Sequence, residues 1–165
     1  MRYKLISVGL IGINNHADRI RKIVEQSHGT RIDVVYHPKK KSNHTKSSNN
    51  ISDLNECDAV FILSPNDTHF DYLKYFSKEF DGYIYCEKPP VSSTKELRQL
   101  NLLQLDPHKV FFNFQLRFSN LRLLLEQSIV DGSIGEPINC HISSTQGLAF
   151  KKNYANSWRS DKKHH

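Results

Sequence analysis

The chain has 165 residues, a length that accommodates one domain of ordinary size and the start of a second. Hydrophobic residues make up 38% and charged residues 24%, a balance that supports a packed core and excludes a wholly disordered chain. The net charge of +6 favours anionic partners such as phosphates and nucleotides. The N-terminal segment lacks the apolar stretch of a secretory signal, and no apolar run reaches the roughly 18 residues of a membrane span. These features predict a cytoplasmic globular protein with no membrane partner.

Short apolar runs alternate with helix-like sequence along most of the chain. Residues 5–11 form an apolar run stopped by Gly12, which is typical of a buried parallel strand. Further runs rich in β-branched or aromatic residues lie at 32–36, 59–63, 83–86 and 110–114. Strands that alternate with helices predict an α/β fold with a doubly wound parallel sheet, in which helices cover both faces.

Capping residues mark two of the predicted helix starts. Ser93 and Glu96 have the spacing of a capping box ahead of a leucine-rich segment. Asn120 is predicted to cap another helix, which ends at Gly132. Residues 39–50 are rich in Lys, Ser and Asn and predict an exposed, mobile loop.

The pattern changes in the last quarter of the chain, where residues 138–145 are polar and partly alternating and predict a strand of a different sheet. The domain boundary is therefore placed near residue 121. Residues 1–121 are expected to form a Rossmann-like dinucleotide-binding domain, and residues 122–165 a linker helix and the truncated start of a second α+β domain. The chain is accordingly expected to be an isolated domain, a truncated gene product or the opening part of a longer protein.

The cysteines and histidines indicate neither a disulfide framework nor a metal site. Cys57, Cys86 and Cys140 are far apart and odd in number, so we expect them to be buried small hydrophobic residues. The histidines lack the spacing of metal ligands, and no metal is expected.

The turn after the first predicted strand is where an open parallel sheet usually holds a diphosphate. Gly12, Ile13, Asn14 and Asn15 form this turn, and the glycine fingerprint of dinucleotide-binding folds would require glycines at positions 12, 14 and 17. Asn tolerates a positive φ better than other non-glycine residues, but the Asn14 side chain should crowd the diphosphate. We therefore expect a shifted diphosphate, an added hydrogen bond from Asn14, or weakened binding. An ordinary tight turn is the alternative.

The residues after the second predicted strand bear on the choice of cofactor. This strand ends without the acidic residue that usually binds the ribose hydroxyls of NAD. His37 and Lys39, with the neighbouring Lys40 and Lys41, would instead suit a ribose phosphate. This composition favours NADP over NAD. The alternative is a solvated lysine loop that binds no ligand.

Two segments carry a more specific signal. Residues 58–69 include Ser64, Pro65, Asn66 and His69, and residues 85–90 include Glu87, Lys88 and Pro89. Together they resemble the Gfo/Idh/MocA family, which contains glucose-fructose oxidoreductase and inositol dehydrogenase. Residues 113–118, 131–137 and 157–159 are similar to further segments of that family, so the resemblance extends over nearly the whole chain.

The resemblance implies an NAD(P)-dependent oxidoreductase that transfers hydride between nicotinamide and a hydroxyl carbon of a sugar, inositol or nucleotide sugar. It implies that Lys88 is catalytic, hydrogen-bonded to the hydroxyl that loses its proton, and that a cis peptide lies at Lys88–Pro89 or beside it. Glu87 would also reach the nicotinamide. The residues lining the cofactor would be Ser64, Pro65, Asn66 and His69, and those positioning substrate would be Arg117, Trp158 and Arg159.

The resemblance also bears on partners. The family forms homo-oligomers through its second domain, which also supplies site residues beyond the segment at 157–159. This chain alone is therefore expected to bind the cofactor without turnover. A non-catalytic nucleotide-binding or regulatory module is the alternative, favoured by Asn14 and by the missing acidic residue. Nucleic acid is not an expected partner, because the aromatic residues lie in predicted buried strands and form no stacking platform.

Overall fold

The computed structural model describes residues 4–43 and 46–143. The chain divides into two compact units after Asn113. This division precedes the boundary predicted near residue 121, because the last strand of the sheet ends at Asn113. In the described ranges, no helix has the length and apolarity that crossing a membrane requires.

The first unit contains a six-stranded parallel sheet. Its strands are β1 (Ile6–Ile11), β2 (Thr30–Tyr36), β3 (Ser47–Ser48), β4 (Ala59–Ile62), β5 (Tyr83–Glu87) and β6 (Val110–Asn113). Their spatial order is β3-β2-β1-β4-β5-β6, which is the doubly wound order of dinucleotide-binding folds. The predicted fold class is thus confirmed. The direction of strand order reverses between β1 and β4, and the crevice at the carboxyl ends of these two strands is the usual ligand site.

Helices accompany the strands in the expected alternation. The α-helices are α1 (Asn15–Gln26), α2 (His69–Phe76), α3 (Thr94–Leu100) and α4 (Asn120–Val130), of which α4 belongs to the second unit. Short 3-10 helices lie at Ile51–Glu56, Asn66–Thr68 and Gln115–Phe118.

Two apolar clusters cover the two faces of the sheet. On one face, Ala17 and Val24 of α1 pack against a cluster that includes Val8 and Leu10 of β1. On the other face, residues of α2 and the 3-10 helix at Ile51–Glu56 pack with Ile11 and strand residues of β4 and β5. Because β1 is central and buried on both faces, it is apolar at nearly every position. Packing explains the glycine at position 9, because a Cβ there would lie 2.4 Å from Leu54 Cδ2.

The helix caps agree in part with the sequence. Ser93 Oγ accepts a hydrogen bond from the Glu96 N–H at 3.2 Å, as its capping-box spacing predicts. The Glu96 carboxylate accepts from the Ser92 N–H, at 2.6 Å, instead of from Ser93. The cap predicted at Asn120 is wrong: Ser119 is the N-cap of α4 and its Oγ accepts from the Arg122 N–H.

Three other expectations need correction. The segment predicted as a loop over residues 39–50 contains β3, which pairs with β2 at the edge of the sheet. Within the predicted strand at 138–145, residues 138–143 form no strand, and Ile138 is 98% exposed. Cys57 and Cys86 are buried as expected, but Cys140 is exposed.

Asp58, just before β4, is hydrogen-bonded to β1. Its carboxylate accepts hydrogen bonds from the Ser7 N–H and the Ser7 hydroxyl, both at 2.9 Å, and from Lys4 Nζ at 2.8 Å. The hydrogen bonds from Lys4 and Ser7 hold the pKa of the Asp58 carboxyl well below its usual range. Ionised Asp58 therefore stabilises the folded chain.

This contact predicts an acid sensitivity of the fold. A carboxyl whose pKa is lowered by folding contributes stability above its unfolded pKa of about 3.9, and the contribution is lost as the pH falls toward the folded pKa. We expect Asp58→Asn to lower the urea midpoint at about pH 6 and to flatten its decline toward about pH 3. Ser7→Ala, which removes the hydroxyl donor, should act in the same direction. An Asp58→Asn protein with the wild-type pH profile would contradict this role.

Candidate functional site

The turn that follows β1 brings the ends of three strands together. Gly12 has φ 116°, and a Cβ at this position would lie 2.9 Å from the carbonyl oxygen of Leu63, just beyond β4. The Gly12 N–H donates to the Tyr36 carbonyl at the end of β2, at 3.0 Å. Backbone conformation and space therefore both require glycine at this position. Ile13 packs partly buried against the cluster on the α1 face.

Asn14 is the N-cap of α1. Its side-chain oxygen accepts hydrogen bonds from the N–H groups of His16 at 2.9 Å and Ala17 at 2.8 Å. Its amide nitrogen donates to the Leu63 carbonyl, at 2.9 Å. The backbone of Asn14 is extended, with φ −78°, so tolerance of a positive φ does not explain Asn at this position. Its capping role and its bond to Leu63 explain it.

The turn fits a diphosphate in its main-chain geometry. Gly12 lets the ends of β1 and β4 approach closely, and α1 begins at the carboxyl edge of the sheet, where N–H groups and the helix dipole favour an anion. Asn15 is exposed and begins α1. The N–H groups of the next two residues, His16 and Ala17, donate to the Asn14 side chain.

The loop after β4 contains Ser64, Pro65 and Asn66. Pro65 and Asn66 begin the short 3-10 helix, and Ser64 Oγ accepts from the Thr68 hydroxyl at 2.7 Å. This loop lies beside the Gly12 turn, because Leu63 contacts both Gly12 and Asn14. The predicted cofactor-lining segment and the predicted diphosphate turn are thus adjacent.

His69 lies beneath this loop. Its side chain is fully buried at the start of α2. Nε2 lies 2.8 Å from the Ser64 carbonyl oxygen, and Nδ1 lies 2.7 Å from the Pro89 carbonyl oxygen. His69 therefore joins the loop after β4 to the loop after β5.

Glu87 ends β5 as a buried carboxylate with three hydrogen-bond donors. Its Oε1 accepts from His16 at 2.8 Å, from Asn113 Nδ2 at 2.8 Å and from the Tyr85 hydroxyl at 3.2 Å. Arg19 can only donate, and its Nη2 lies 3.3 Å from His16 Nδ1, so the proton of the His16 ring lies on Nε2, facing Glu87. In the described part of the chain, no residue bonds Glu87 Oε2.

The same contacts determine the charge of this carboxylate. Burial acts to raise the pKa of Glu87, but the hydrogen bonds from His16 and Asn113 outweigh burial and hold it below its usual range. Burial beside Glu87 raises the pKa of the Tyr85 hydroxyl, which therefore stays a donor. The site holds an ionised carboxylate whose Oε1 accepts from three donors.

Lys88 follows Glu87 at the carboxyl edge of the sheet. The Lys88–Pro89 peptide bond is cis, as the family resemblance implied. The Lys88 side chain is exposed, whereas Glu87 is buried. The Glu87 side chain is thus held within the fold, and the side chain of the next residue, Lys88, is exposed to solvent.

The lysine-rich segment after β2 is organised around His37. Its Nδ1 accepts hydrogen bonds from the N–H groups of Lys39 at 3.1 Å and Lys40 at 3.0 Å. Burial, together with Lys40 and Lys39, lowers the pKa of His37, which favours the neutral ring. Because Nδ1 is the acceptor, Nε2 carries the proton and can donate to a ligand. The side chains of Lys39, Lys40 and Lys41 are exposed.

The predicted substrate-positioning residues are Arg117, Trp158 and Arg159. Arg117 is exposed on a 3-10 helix of the second unit. Trp158 and Arg159 fall outside the described residues. Within residues 4–43 and 46–143, no group of three or more His, Cys, Asp or Glu side chains has the arrangement of a metal site.

The sequence analysis missed three donors and one acceptor of this site. His16, Tyr85 and Asn113 bond Glu87, and the Leu63 carbonyl bonds Asn14. Asn113 carried a usable signal, because it ends the strand next to β5 and pairs in register with Glu87. The other contacts join elements whose side-chain directions the sequence pattern does not specify.

The part of the chain that contains the sheet and the candidate site is also the part that matches known proteins. Residues 6–113 match the Gfo/Idh/MocA model, described as an oxidoreductase family with an NAD-binding Rossmann fold. Inositol 2-dehydrogenase of Rhizobium meliloti (strain 1021) is 33% identical over 82 residues, which cover 49% of this chain and 24% of that protein.

Solved structures show the same fold. The scyllo-inositol dehydrogenase of Lactobacillus casei with bound NAD(H) and scyllo-inositol has a TM-score of 0.67 at 17% identity, covering 81% of this chain and 43% of that one. A putative NADPH-dependent oxidoreductase of Desulfitobacterium hafniense has a TM-score of 0.66 at 17% identity, covering 81% and 42% respectively.

The chain therefore spans about a quarter of the length of the curated relative and less than half that of the solved structures. The matched segment holds the whole sheet, the Gly12 turn and the Glu87–Lys88–Pro89 sequence. The chain belongs to the Gfo/Idh/MocA oxidoreductase family and contains its NAD-binding Rossmann domain.

Proposed function

We propose that this chain supplies the cofactor side and the catalytic lysine of a nicotinamide-dependent dehydrogenase that acts on a cyclic polyol or sugar. The observation that carries the proposal is the arrangement at the end of β5. Ionised Glu87 is held by donors from three elements, and exposed Lys88 follows it at the same edge as the Gly12 turn.

The relatives support the proposed substrate class. The curated relative is an inositol 2-dehydrogenase, and a solved structure of the same fold contains scyllo-inositol. A polyol hydroxyl both donates and accepts hydrogen bonds, so it suits a lysine side chain that accepts from it as an amine and donates to it as an ammonium. We infer a substrate with neighbouring hydroxyl groups, such as an inositol, a sugar or a nucleotide sugar.

The chain's own residues divide the work as follows. When bound, the nicotinamide accepts or returns a hydride. The neutral amine of Lys88 would accept the proton of the hydroxyl on the reacting carbon as hydride leaves that carbon, and the resulting ammonium would release the proton to solvent. Glu87, held by His16 and Asn113, orients the segment that carries Lys88. Buried His69 positions the loops after β4 and β5, because its ring nitrogens contact the Ser64 and Pro89 carbonyl oxygens.

The residues proposed to hold the dinucleotide lie along the carboxyl edge of the sheet. Gly12, Ile13, Asn14 and Asn15 would face the diphosphate. The loop with Ser64, Pro65 and Asn66 would line the path toward the nicotinamide. Arg117, Trp158 and Arg159 stay proposals for substrate positioning, as does self-association of the complete protein through the family's second domain.

Turnover is expected to depend on Lys88. In a form extended by the second domain of a family member, Lys88→Ala should lower kcat by more than about a hundredfold, the usual contribution of a positioned acid–base group. Dinucleotide affinity should change less than about threefold. The 165-residue chain itself should bind dinucleotide without appreciable turnover, because hydride transfer needs the substrate held in a water-poor site. Steady-state absorbance assays and calorimetric titration measure both quantities.

Two outcomes would contradict this assignment. Lys88→Ala enzyme with wild-type kcat would remove Lys88 from the chemistry. Dehydrogenase activity of the purified 165-residue chain with inositols or sugars would contradict the expected need for a further domain.

Glu87 is expected to support the fold as well as the site. Glu87→Gln keeps the shape but removes the charge that strengthens three hydrogen bonds, and should lower the free energy of unfolding by about 1 to 2 kcal/mol. Glu87→Leu leaves the donors unpaired and should cost more, about 3 kcal/mol. Urea denaturation measures both. Equal stability of the Leu variant and the wild type would contradict the network.

The choice between NADP and NAD is a finer part of the proposal. The NAD-binding family description and the NAD(H)-containing relative support a nicotinamide dinucleotide in general. The local chemistry after β2 supports NADP, because His37 offers an Nε2–H donor and three exposed lysines follow. A ribose phosphate carries up to two negative charges and would gain charge-assisted bonds there.

This choice is testable by paired titrations. Lys39→Ala combined with Lys40→Ala should weaken NADP binding by more than about tenfold, since each charge-assisted contact contributes about 1.5 to 3 kcal/mol. NAD binding should change less than about twofold. Lys74→Ala with Lys78→Ala, on and just after α2, is the matched control and should leave both affinities unchanged. Tighter binding of NAD than of NADP to the wild type would contradict the NADP preference.

A non-catalytic nucleotide-binding module is the second candidate. The observation that favours it is the Asn14 cap, which occupies N–H groups that a diphosphate commonly uses. Dinucleotide binding unaccompanied by any Lys88-dependent rate in the extended form would support this candidate over the dehydrogenase.

A further inference from the structure

The Asn14 side chain satisfies the start of α1 without a ligand. Three of its polar contacts are short: two N–H groups of α1 donate to its oxygen at 2.9 and 2.8 Å, and its nitrogen donates to the Leu63 carbonyl at 2.9 Å. The Asp18 N–H donates to the Asn14 carbonyl, which begins the helical ladder. Of the first four N–H groups that a helix leaves unpaired, two are therefore closed by the same side chain.

We propose that Asn14 is a built-in competitor of the dinucleotide's diphosphate: it stabilises the ligand-free fold and lowers the affinity for the cofactor. This inference rests on the proposed function, since it presumes that the dinucleotide binds at this turn. The competition concerns the N–H groups of His16 and Ala17, which are already bonded to an oxygen.

Because of the orientation of its amide, Asn14 competes with the diphosphate for N–H groups and does not donate a hydrogen bond to it. The Leu63 carbonyl only accepts, so the amide nitrogen must face it and the oxygen must face α1. A flipped amide would set two oxygens against each other at Leu63 and two N–H groups against the amide nitrogen. A phosphate oxygen and the Asn14 oxygen are both acceptors, so each must displace the other from the same N–H groups.

The backbone at position 14 separates this effect from strain. Gly12 requires glycine, because its φ is 116° and a Cβ would lie 2.9 Å from the Leu63 carbonyl oxygen. Asn14 has φ −78° and ψ 171°, which any residue adopts. Asn14→Gly therefore relieves no strain, and its consequences come from the lost side chain and from the greater freedom of the unfolded chain.

The test compares Asn14→Gly with Ser119→Gly in the 165-residue chain. Both substitutions remove the capping side chain of an α-helix and add backbone freedom, but only Asn14 lies at the proposed diphosphate turn. Asn14→Gly should lower the urea midpoint of the ligand-free protein and tighten dinucleotide binding about fivefold, the exchange of one net hydrogen bond. Ser119→Gly should leave affinity within about twofold. Isothermal titration with NAD and with NADP, at a temperature where all variants are folded, measures affinity.

A second variant protects the test against loss of folding. Asn14→Ser keeps a capping oxygen but has no nitrogen to hold it against Leu63, so it should yield the N–H groups more readily. Its affinity should lie between those of the wild type and Asn14→Gly. If Asn14→Gly does not fold, Asn14→Ser with an affinity at or below the wild-type value overturns the inference.

Each remaining outcome is decisive. If the wild type binds dinucleotide and Asn14→Gly binds it with equal or lower affinity, the proposed competition is wrong and the proposed function is unaffected. An unchanged urea midpoint for Asn14→Gly overturns the stabilising role. Absence of binding by the wild type and by every variant overturns the proposed function and this inference with it. Binding by Asn14→Gly alone supports the competition.

Discussion

The close approach of Gly12 to Leu63 is the constraint on which the site depends. The ends of β1 and β4 are near enough that a single added carbon would lie 2.9 Å from a carbonyl oxygen. That proximity lets the Asn14 amide reach the Leu63 carbonyl and cap α1 at the same time. It also places the loop after β4 beside the first turn of α1. The edge of the sheet is thus a continuous surface built from consecutive strand ends.

The core strands could be predicted from the sequence, but the edge strand β3 could not. Buried parallel strands are apolar at nearly every position, so β1 and β4 are evident as apolar runs, interrupted in β1 by Ser7 and Gly9. The edge strand β3 is only Ser47 and Ser48, and it exists because its backbone bonds to β2. No side-chain pattern announces such a strand. The helix cap shows a similar limit, since Ser119 and Asn120 are both good capping residues and only the backbone decides between them.

The candidate site could be predicted by position but not by contact. The family resemblance placed Glu87 and Lys88 at a strand end, and the cis bond before Pro89 agrees with it. The resemblance did not supply the partners of Glu87, because His16 and Asn113 are far from it in sequence. The glycine fingerprint, in turn, led to a wrong reason for Asn14, whose backbone is extended. Local motifs carry residue types, whereas side-chain directions across elements come only from the packed fold.

The Glu87 network links the two halves of the proposed site. A buried carboxylate would ordinarily favour its neutral form, but the donors on Oε1 keep it ionised. One of those donors, His16, lies in the first turn of α1, next to the Asn14 cap. The start of α1 therefore supports both the proposed diphosphate turn and the carboxylate beside Lys88. A ligand that displaced the cap at Asn14 would therefore act on the same helix turn that holds Glu87, the residue before Lys88.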